Sequence, residues 1–185
     1  MSSSSQTSPA PDADLQSVVR ELEAHAAESG WDRPERLFAL VETAALVRQE
    51  PGLAEALGLD GEPTGLTPIE QEPLPEGTSI EQMLAETARP GAVAARAATA
   101  ERSVLPLGTD RRGPDDPADA HAFAATHPAR EEVRIVAAAL RSGGSACALR
   151  LRSHDDAESV LTSPDLVPGL LTLLHATLDL EETRS

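Results

Sequence analysis

The chain has 185 residues, a formal net charge of −16 and fifteen basic residues, all of them arginine. That length suits one domain with short tails and allows a sizeable buried core. The acidic balance excludes general binding to a phosphate backbone, which needs clustered cations, and disfavours anionic membrane surfaces. Aromatic residues make up only 2% (Trp31, Phe38 and Phe123), so the core must be built from Leu, Val and Ala. The lone Cys147 rules out an internal disulfide and fits a reducing, cytoplasmic setting. Residues 1–12, rich in Ser and Pro, read as a disordered tail, and they have neither the cationic nor the apolar segment of a signal peptide. No apolar run reaches the roughly 18 residues of a membrane span.

From Asp12 or Asp14 to about Ser29, Leu15, Val18, Val19, Leu22 and Ala26 recur at spacings of three and four, predicting a helix that Gly30 stops. The segment Trp31-Asp32-Arg33-Pro34-Glu35 has the cap, proline and acid of a second helix start. That helix is expected to carry Leu37, Phe38, Leu40, Val41, Ala44, Ala45 and Val47 to Pro51. Leu53–Leu57 then adds a turn of helix. Residues 58–78, with Pro63, Pro68, Pro73, Pro75 and Gly77 among acids, read as an irregular connector pinned by Leu66, Ile69 and Leu74. Ser79 caps a short helix over Ile80–Thr87. Ala92–Leu105 is read as a strand, residues 107–117 as an exposed loop, and Ala118–Thr126 as a short helix.

The clearest local signal is a β-hairpin, Glu132–Arg141 and Ser145–Arg152, around Ser142-Gly143-Gly144. A three-residue loop brings Val133, Ile135, Ala137 and Ala139 to the same face as Cys147, Leu149 and Leu151. It also sets Arg134 opposite Arg152 and Val136 opposite Arg150. A last helix opens at Pro164-Asp165 and carries Leu166, Leu170, Leu173, Leu174 and Leu178; residues 181–185 fray. The expected fold is α+β: a small antiparallel sheet, hairpin plus one further strand, packed against several helices as a single domain over residues 13–180.

Candidate chemistry is sparse. On the polar face of the hairpin, Arg134, Arg150 and Arg152 would repel one another unless neutralised. They therefore nominate a site for a small anion or an acidic partner, with internal pairing to Glu101, Glu132, Asp155 or Glu181 as the structural reading. Trp31 is either a packing staple against Leu37 or Phe38, or an interface anchor. His121 and His127 are six apart, the wrong spacing for one helix face, and no zinc or other metal site is expected. His154 stands beside Asp155 and Asp156, as a general base with an orienting carboxylate would, and as any polar turn would. Cys147 faces inward and should be inert. No phosphate-binding glycine loop occurs and no cofactor is expected.

Trp31-Asp32-x-Pro34-x-Arg36-Leu37-Phe38-Ala39-Leu40-Val41, together with Leu66-Thr67-Pro68-Ile69-Glu70-Gln71-Glu72, resembles a family of uncharacterised actinobacterial proteins. Glu131-Glu132-Val133-Arg134, Ala148-Leu149-Arg150-Leu151-Arg152 and Asp165-Leu166-Val167-Pro168-Gly169-Leu170 fit the same pattern. The resemblance spans about residues 15–178 and implies a lineage without an activity. The expected function is a non-catalytic interaction or regulatory protein that acts through a surface, by a protein partner or self-association. The rival expectation is a small-anion binder or enzyme using the three arginines, with no nucleic acid or membrane as partner.

Overall fold

The computed structural model describes residues 11–56, 58, 64–86, 93–105 and 117–179. Its centre is a six-stranded, wholly antiparallel sheet in the order β2-β1-β3-β4-β5-β6. The strands are β1 (Arg36–Glu42), β2 (Leu66–Glu70), β3 (Ala95–Val104), β4 (Glu131–Leu140), β5 (Ser145–Leu151) and β6 (Leu161–Ser163). Helices α1 (Pro11–Glu28), α2 (Thr43–Gln49), α3 (Pro51–Ala56), α4 (Ile80–Glu86), α5 (Pro117–Thr126) and α6 (Pro168–Asp179) complete it. The class is α+β, with a sheet twice as wide as the three strands expected. No helix among the described residues is long and apolar enough to cross a membrane.

Both sheet faces are covered. On one, Leu15, Val18, Val19 and Leu22 of α1 pack on Phe38, Leu40, Val136 and Ala138. On the other, Ile80 and Leu84 of α4 and Leu171, Leu174 and Leu178 of α6 pack on Leu37, Ala98, Ala137 and Cys147. This explains why Ile135–Leu140 is an unbroken apolar run, since a strand buried on two sides needs no polar alternation. Buried alanines, among them Ala95, Ala97, Ala98, Ala137, Ala138 and Ala139, line the middle of the sheet. Small side chains there let both helix layers approach closely and compensate for the scarcity of aromatics.

Several expectations hold in detail. Gly30, at φ +81°, stops α1. The predicted strand over 92–105 is β3, and the short helix before Thr126 is α5. Ser79 and Gln82 exchange hydrogen bonds across the first turn of α4 (3.0 and 3.2 Å), a reciprocal cap. Thr87, the 107–116 loop and Glu181–Ser185 lie outside the described residues, as does the tail to residue 10. Pro11 and Asp12, assigned to that tail, already belong to α1.

The last helix opens at Pro168 rather than at Pro164-Asp165, so Leu166 precedes it, and three larger expectations are corrected. The helix predicted from Asp32 to Val47 is instead β1 followed by α2. Leu37, Phe38 and Leu40 are buried on opposite faces of one strand, with Leu37 in one core and Phe38 and Leu40 in the other. An apolar block buried on two sides fits a central strand as well as a buried helix, and sheet pairing on both edges decides for the strand. The "connector" 58–78 contains β2, whose Leu66 and Ile69 are sheet residues. The hairpin register differs by one loop position: Arg134 pairs with Arg150 and Val133 with Leu151. The loop still holds three residues, now Arg141-Ser142-Gly143, with Leu140 N–H donating to the Gly144 carbonyl (2.7 Å) and Gly143 at φ +109°. The facing rule survives, because the shift moves the register by an even number.

β2 is an edge strand. Gln71 N–H donates to Leu37 O and Thr43 N–H to Gly65 O, so the odd-numbered residues of β2 bond to β1. The outward row is Leu66, Pro68 and Glu70, and Pro68 leaves a missing donor at its middle. Replacing Leu40, fully buried on β1, with Ala should lower unfolding free energy by about 2–5 kcal/mol in urea denaturation. Leu161→Ala, at an exposed site, should stay within about 0.5 kcal/mol of the parent.

Candidate functional site

The three arginines nominated from sequence come together, but under α1 rather than on an outer face. Arg134 and Arg150 are 2% and 5% exposed, whereas Arg152 is open to solvent. Covering the sheet with α1 carries Glu23 into the same place. Its position, four residues after Val19 and eight after Leu15, puts it on the apolar side of the helix. Arg150 Nε and Nη2 donate to the two oxygens of Glu23 at 2.6 and 2.8 Å, a bidentate pair. A third bond runs from Arg150 Nη1 to Asp155 (3.2 Å). Hydrogen bonds to Glu23, above all, raise the Arg150 guanidinium pKa further.

Arg134 donates through Nη2 to the Gly30 carbonyl (2.6 Å) and reaches Glu101 at 3.5 Å. Its guanidinium carbon lies 4.3 Å from the centre of the Trp31 ring. Arg152 approaches the same ring at 5.5 Å, and its Nη atoms take both oxygens of Asp32 (3.1 and 3.0 Å) and one of Glu132 (2.6 Å). Trp31 Nε1 donates to Asp155 (3.0 Å). Asp32 adopts φ +61°, a left-handed conformation that Asp tolerates better than most residues, and its N–H donates to Glu101 (2.8 Å). Trp31 thus lies against two guanidiniums and is tied by its ring nitrogen, not stapled onto a following helix, because a strand follows.

A second cluster fastens the other end of this loop. Glu35 accepts the Ile80 N–H (2.7 Å) at the start of α4 and pairs with Arg102, which also holds Glu81 at 2.9 and 3.2 Å. Burial alone would raise the Glu81 pKa, but hydrogen bonds from Arg102, the backbone and Ser79, with the charge of Arg102, together leave it lowered. Residues 29–35 are therefore latched to the sheet on the α1 side and to α4 on the other.

The remaining candidates have ordinary partners. His154 Nδ1 meets Ser153 Oγ (3.0 Å), while Asp155 serves Trp31 and Arg150 and Asp156 caps the turn at Ser159. His127 accepts the Ala129 N–H (3.1 Å) and leans on Phe123. The side chain of His121 lies outside what is described. Burial pushes the Cys147 thiol up, away from the reactive thiolate. Among the described residues, no group of three or more His, Cys, Asp or Glu side chains is placed to hold a metal.

The sequence reading missed Glu23, Asp32, Glu35, Glu81 and Arg102 as members of these clusters. Glu23 had a usable signal, an acid inside an apolar stripe. Asp32 and Glu35 had none, because they were read as the cap and first turn of a helix. Of the pairing partners expected for the arginines, Glu101, Glu132 and Asp155 all take part, and Glu181 lies outside the described residues.

A model of one protein family, described as PPA1309-like protein, matches residues 15–179. No curated protein and no solved structure matches the chain.

Replacing Glu23 with Gln leaves a buried guanidinium short of its counter-charge and should cost about 3–5 kcal/mol in urea denaturation. The sole tryptophan, Trp31, reports the transition. The acid limb has a definite sign. The hydrogen bond from Arg152 holds Asp32 below its ordinary 3.8, and that from Trp31 does the same for Asp155. The folded state thus binds fewer protons than the unfolded state below about pH 4. Their stabilisation is complete above that value and is lost as pH falls through the lowered ones. Thermal melts from pH 6 to 3 should show a shallower acid loss for Asp155→Asn than for the parent.

Proposed function

The chain belongs to the PPA1309-like protein family, and on that footing we propose a non-catalytic regulatory protein that presents a rigid, acidic surface to a basic partner protein. The observation that carries this reading is a shelf on β1 and β2. Ile69 is 41% exposed, and Ala39 and Val41 beside it on the same sheet face are half-buried. Helices α4 and α6 cover β3, β4 and the Leu37 end of β1, and the shelf extends past them. The exposed carboxylates of Glu72 and Glu76 follow β2 in the chain, whereas Glu42 and Glu70 alternate to the opposite sheet face, where Glu70 pairs with Arg36. An apolar patch on an acidic molecule fits a partner with an apolar contact and basic rim. Because Pro68 interrupts the outward backbone row, docking here is by side chains rather than by strand addition.

The arginine cluster supports the same reading in another way. Its guanidiniums are held by carboxylates, by the Gly30 carbonyl and by the Trp31 ring, and they fix the shape of the loop, which favours a rigid docking surface over turnover. Trp31 suits an anchor less well than Ile69, since guanidiniums lie against its ring. The test is affinity purification from the source organism with parent, Ile69→Arg and Leu161→Arg baits, all first matched in thermal stability. The expected result is a partner recovered by the parent and Leu161→Arg, with at least tenfold less on Ile69→Arg, the effect of charging an interface core. Equal recovery by Ile69→Arg, or no partner with any bait, would overturn the proposal.

A further inference from the structure

The two edges of the sheet differ. At β2, Pro68 breaks the outward main-chain row, whereas β6 has no such block. Leu140 N–H donates to the Gly144 carbonyl, so even-numbered residues of β5 bond to β4 and odd-numbered ones face β6. Leu161 and Ser163, opposite Leu149 and Cys147, therefore bond to β5, and Thr162 turns its N–H and C=O away from the sheet. Val160, also extended (φ −71°, ψ 119°), continues that outward row. Pro164 ends it, because it lacks an N–H and its carbonyl accepts from Ser145 Oγ (2.7 Å). No hydrogen bond from another described residue occupies the outward groups of Val160 or Thr162.

Beside this edge, between α1 and β6, lies a cleft of about 120 Å³. A cavity of about 150 Å³ holds a benzene molecule, so the cleft has room for one short side chain. Val19 and Ala146 supply apolar lining, Gln16, Arg20 and Thr162 supply polar lining, and no carboxylate lines it. Arg20 is exposed and, unlike Arg134, Arg150 and Arg152, has no ion pair or hydrogen bond with another described residue. Thr162 is opposite Ala148, whose side chain packs under α1, so the Thr162 side chain is on the cleft side of the sheet. Leu161, 57% exposed, alternates to the other side.

We infer that β6 accepts an extended strand from a partner protein, with an acidic residue opposite Thr162 and an apolar residue on either side of it. An added strand gains affinity from main-chain bonds and specificity from alternate side chains. In an antiparallel pair, the residue opposite Thr162 exchanges two main-chain bonds with it and points to the same side of the sheet. Its carboxylate then meets Arg20 and Gln16 in the cleft. Its two neighbours point the other way and cover Leu161. The exposed acids Glu158 and Asp165, before and after β6, favour basic residues at the ends of the strand. The same acids, in a chain of −16, repel a second copy of this edge. The site is separate from the shelf on β1 and β2, at the opposite end of the strand order.

The probe is a fluorescein-labelled peptide, Ser-Lys-Val-Glu-Val-Lys-Ser, titrated with the full-length protein and read by fluorescence anisotropy. Binding should be saturable. The same peptide with Lys in place of Glu should bind at least about tenfold more weakly, and Arg20→Glu should reverse that order. Thr162→Pro removes the outward N–H and leaves the bonds to β5 in place, so it should also weaken binding at least about tenfold. Should that variant fail to fold, N-methylation of the peptide's Glu amide tests the same ladder from the ligand side and should abolish binding. No saturable binding of the Glu peptide, equal affinity for the Lys peptide, or unchanged affinity in folded Thr162→Pro or for the methylated peptide would each overturn the proposal. So would a dimer in sedimentation that Thr162→Pro dissolves, since the edge would then belong to a second copy.

Discussion

The pair between Glu23 and Arg150 is the constraint on which the rest of this architecture depends. Both groups are buried, and neither could stay there alone, since an unpaired charge in an apolar interior costs several kcal/mol. Their bidentate geometry fixes the rotation and height of α1 on the sheet. That placement in turn sets where the helix ends, where Gly30 turns the chain, and where Trp31 meets Arg134 and Arg152. Hydrophobic packing of Leu15, Val18, Val19 and Leu22 supplies the adhesion of α1 but tolerates sliding. The ion pair supplies the register, a division of labour known for buried polar groups in other folds.

The distribution of charge follows from the same arrangement. Arg96, Arg134 and Arg150 are buried and Arg102 is largely covered, whereas exposed acids include Glu42, Glu70, Glu72, Glu76 and Glu158. Glu23 is buried with them, so the interior charge is largely paired, and the excess of acids in the chain keeps the surface acidic although Arg20, Arg33, Arg48, Arg130 and Arg152 are exposed. Long-range attraction therefore acts on basic molecules.

Much of this was legible in the amino-acid sequence, and the failures are instructive. The β4–β5 hairpin, β3, α1, α4 and α6 were readable because local rules dominate there: glycine turn chemistry, a reciprocal Ser79–Gln82 cap, and stripes at helical spacing. β1 was misread because Leu37 to Val41 is apolar on both sides, a pattern that a buried helix and a central strand share. The convincing Asp32-Pro34-Glu35 start signal was in fact a loop, with its acids bonded to Arg152 and to Ile80. β2 was hidden by Pro68, which is admissible only on an edge. The arginine cluster was foreseen as a cluster, but its position was reversed. Nothing local in Arg134-x-Val136 announces a helix arriving from residues 11–28, and the one clue lay far away, in Glu23 on an apolar stripe.

That distance has a consequence for how the molecule is made. Glu23 and Arg150 are 127 positions apart. At about 5–20 residues added per second, α1 precedes its partner by roughly 6–25 s during synthesis. Throughout that interval the helix carries an apolar stripe with a carboxylate in it and no guanidinium to seat against. The Glu23–Arg150 pair, and with it the final seating of α1, can form only when the β4–β5 hairpin has left the ribosome. The nascent chain meanwhile exposes the inner side of α1, and the acid on that stripe keeps it hydrated and disfavours premature burial.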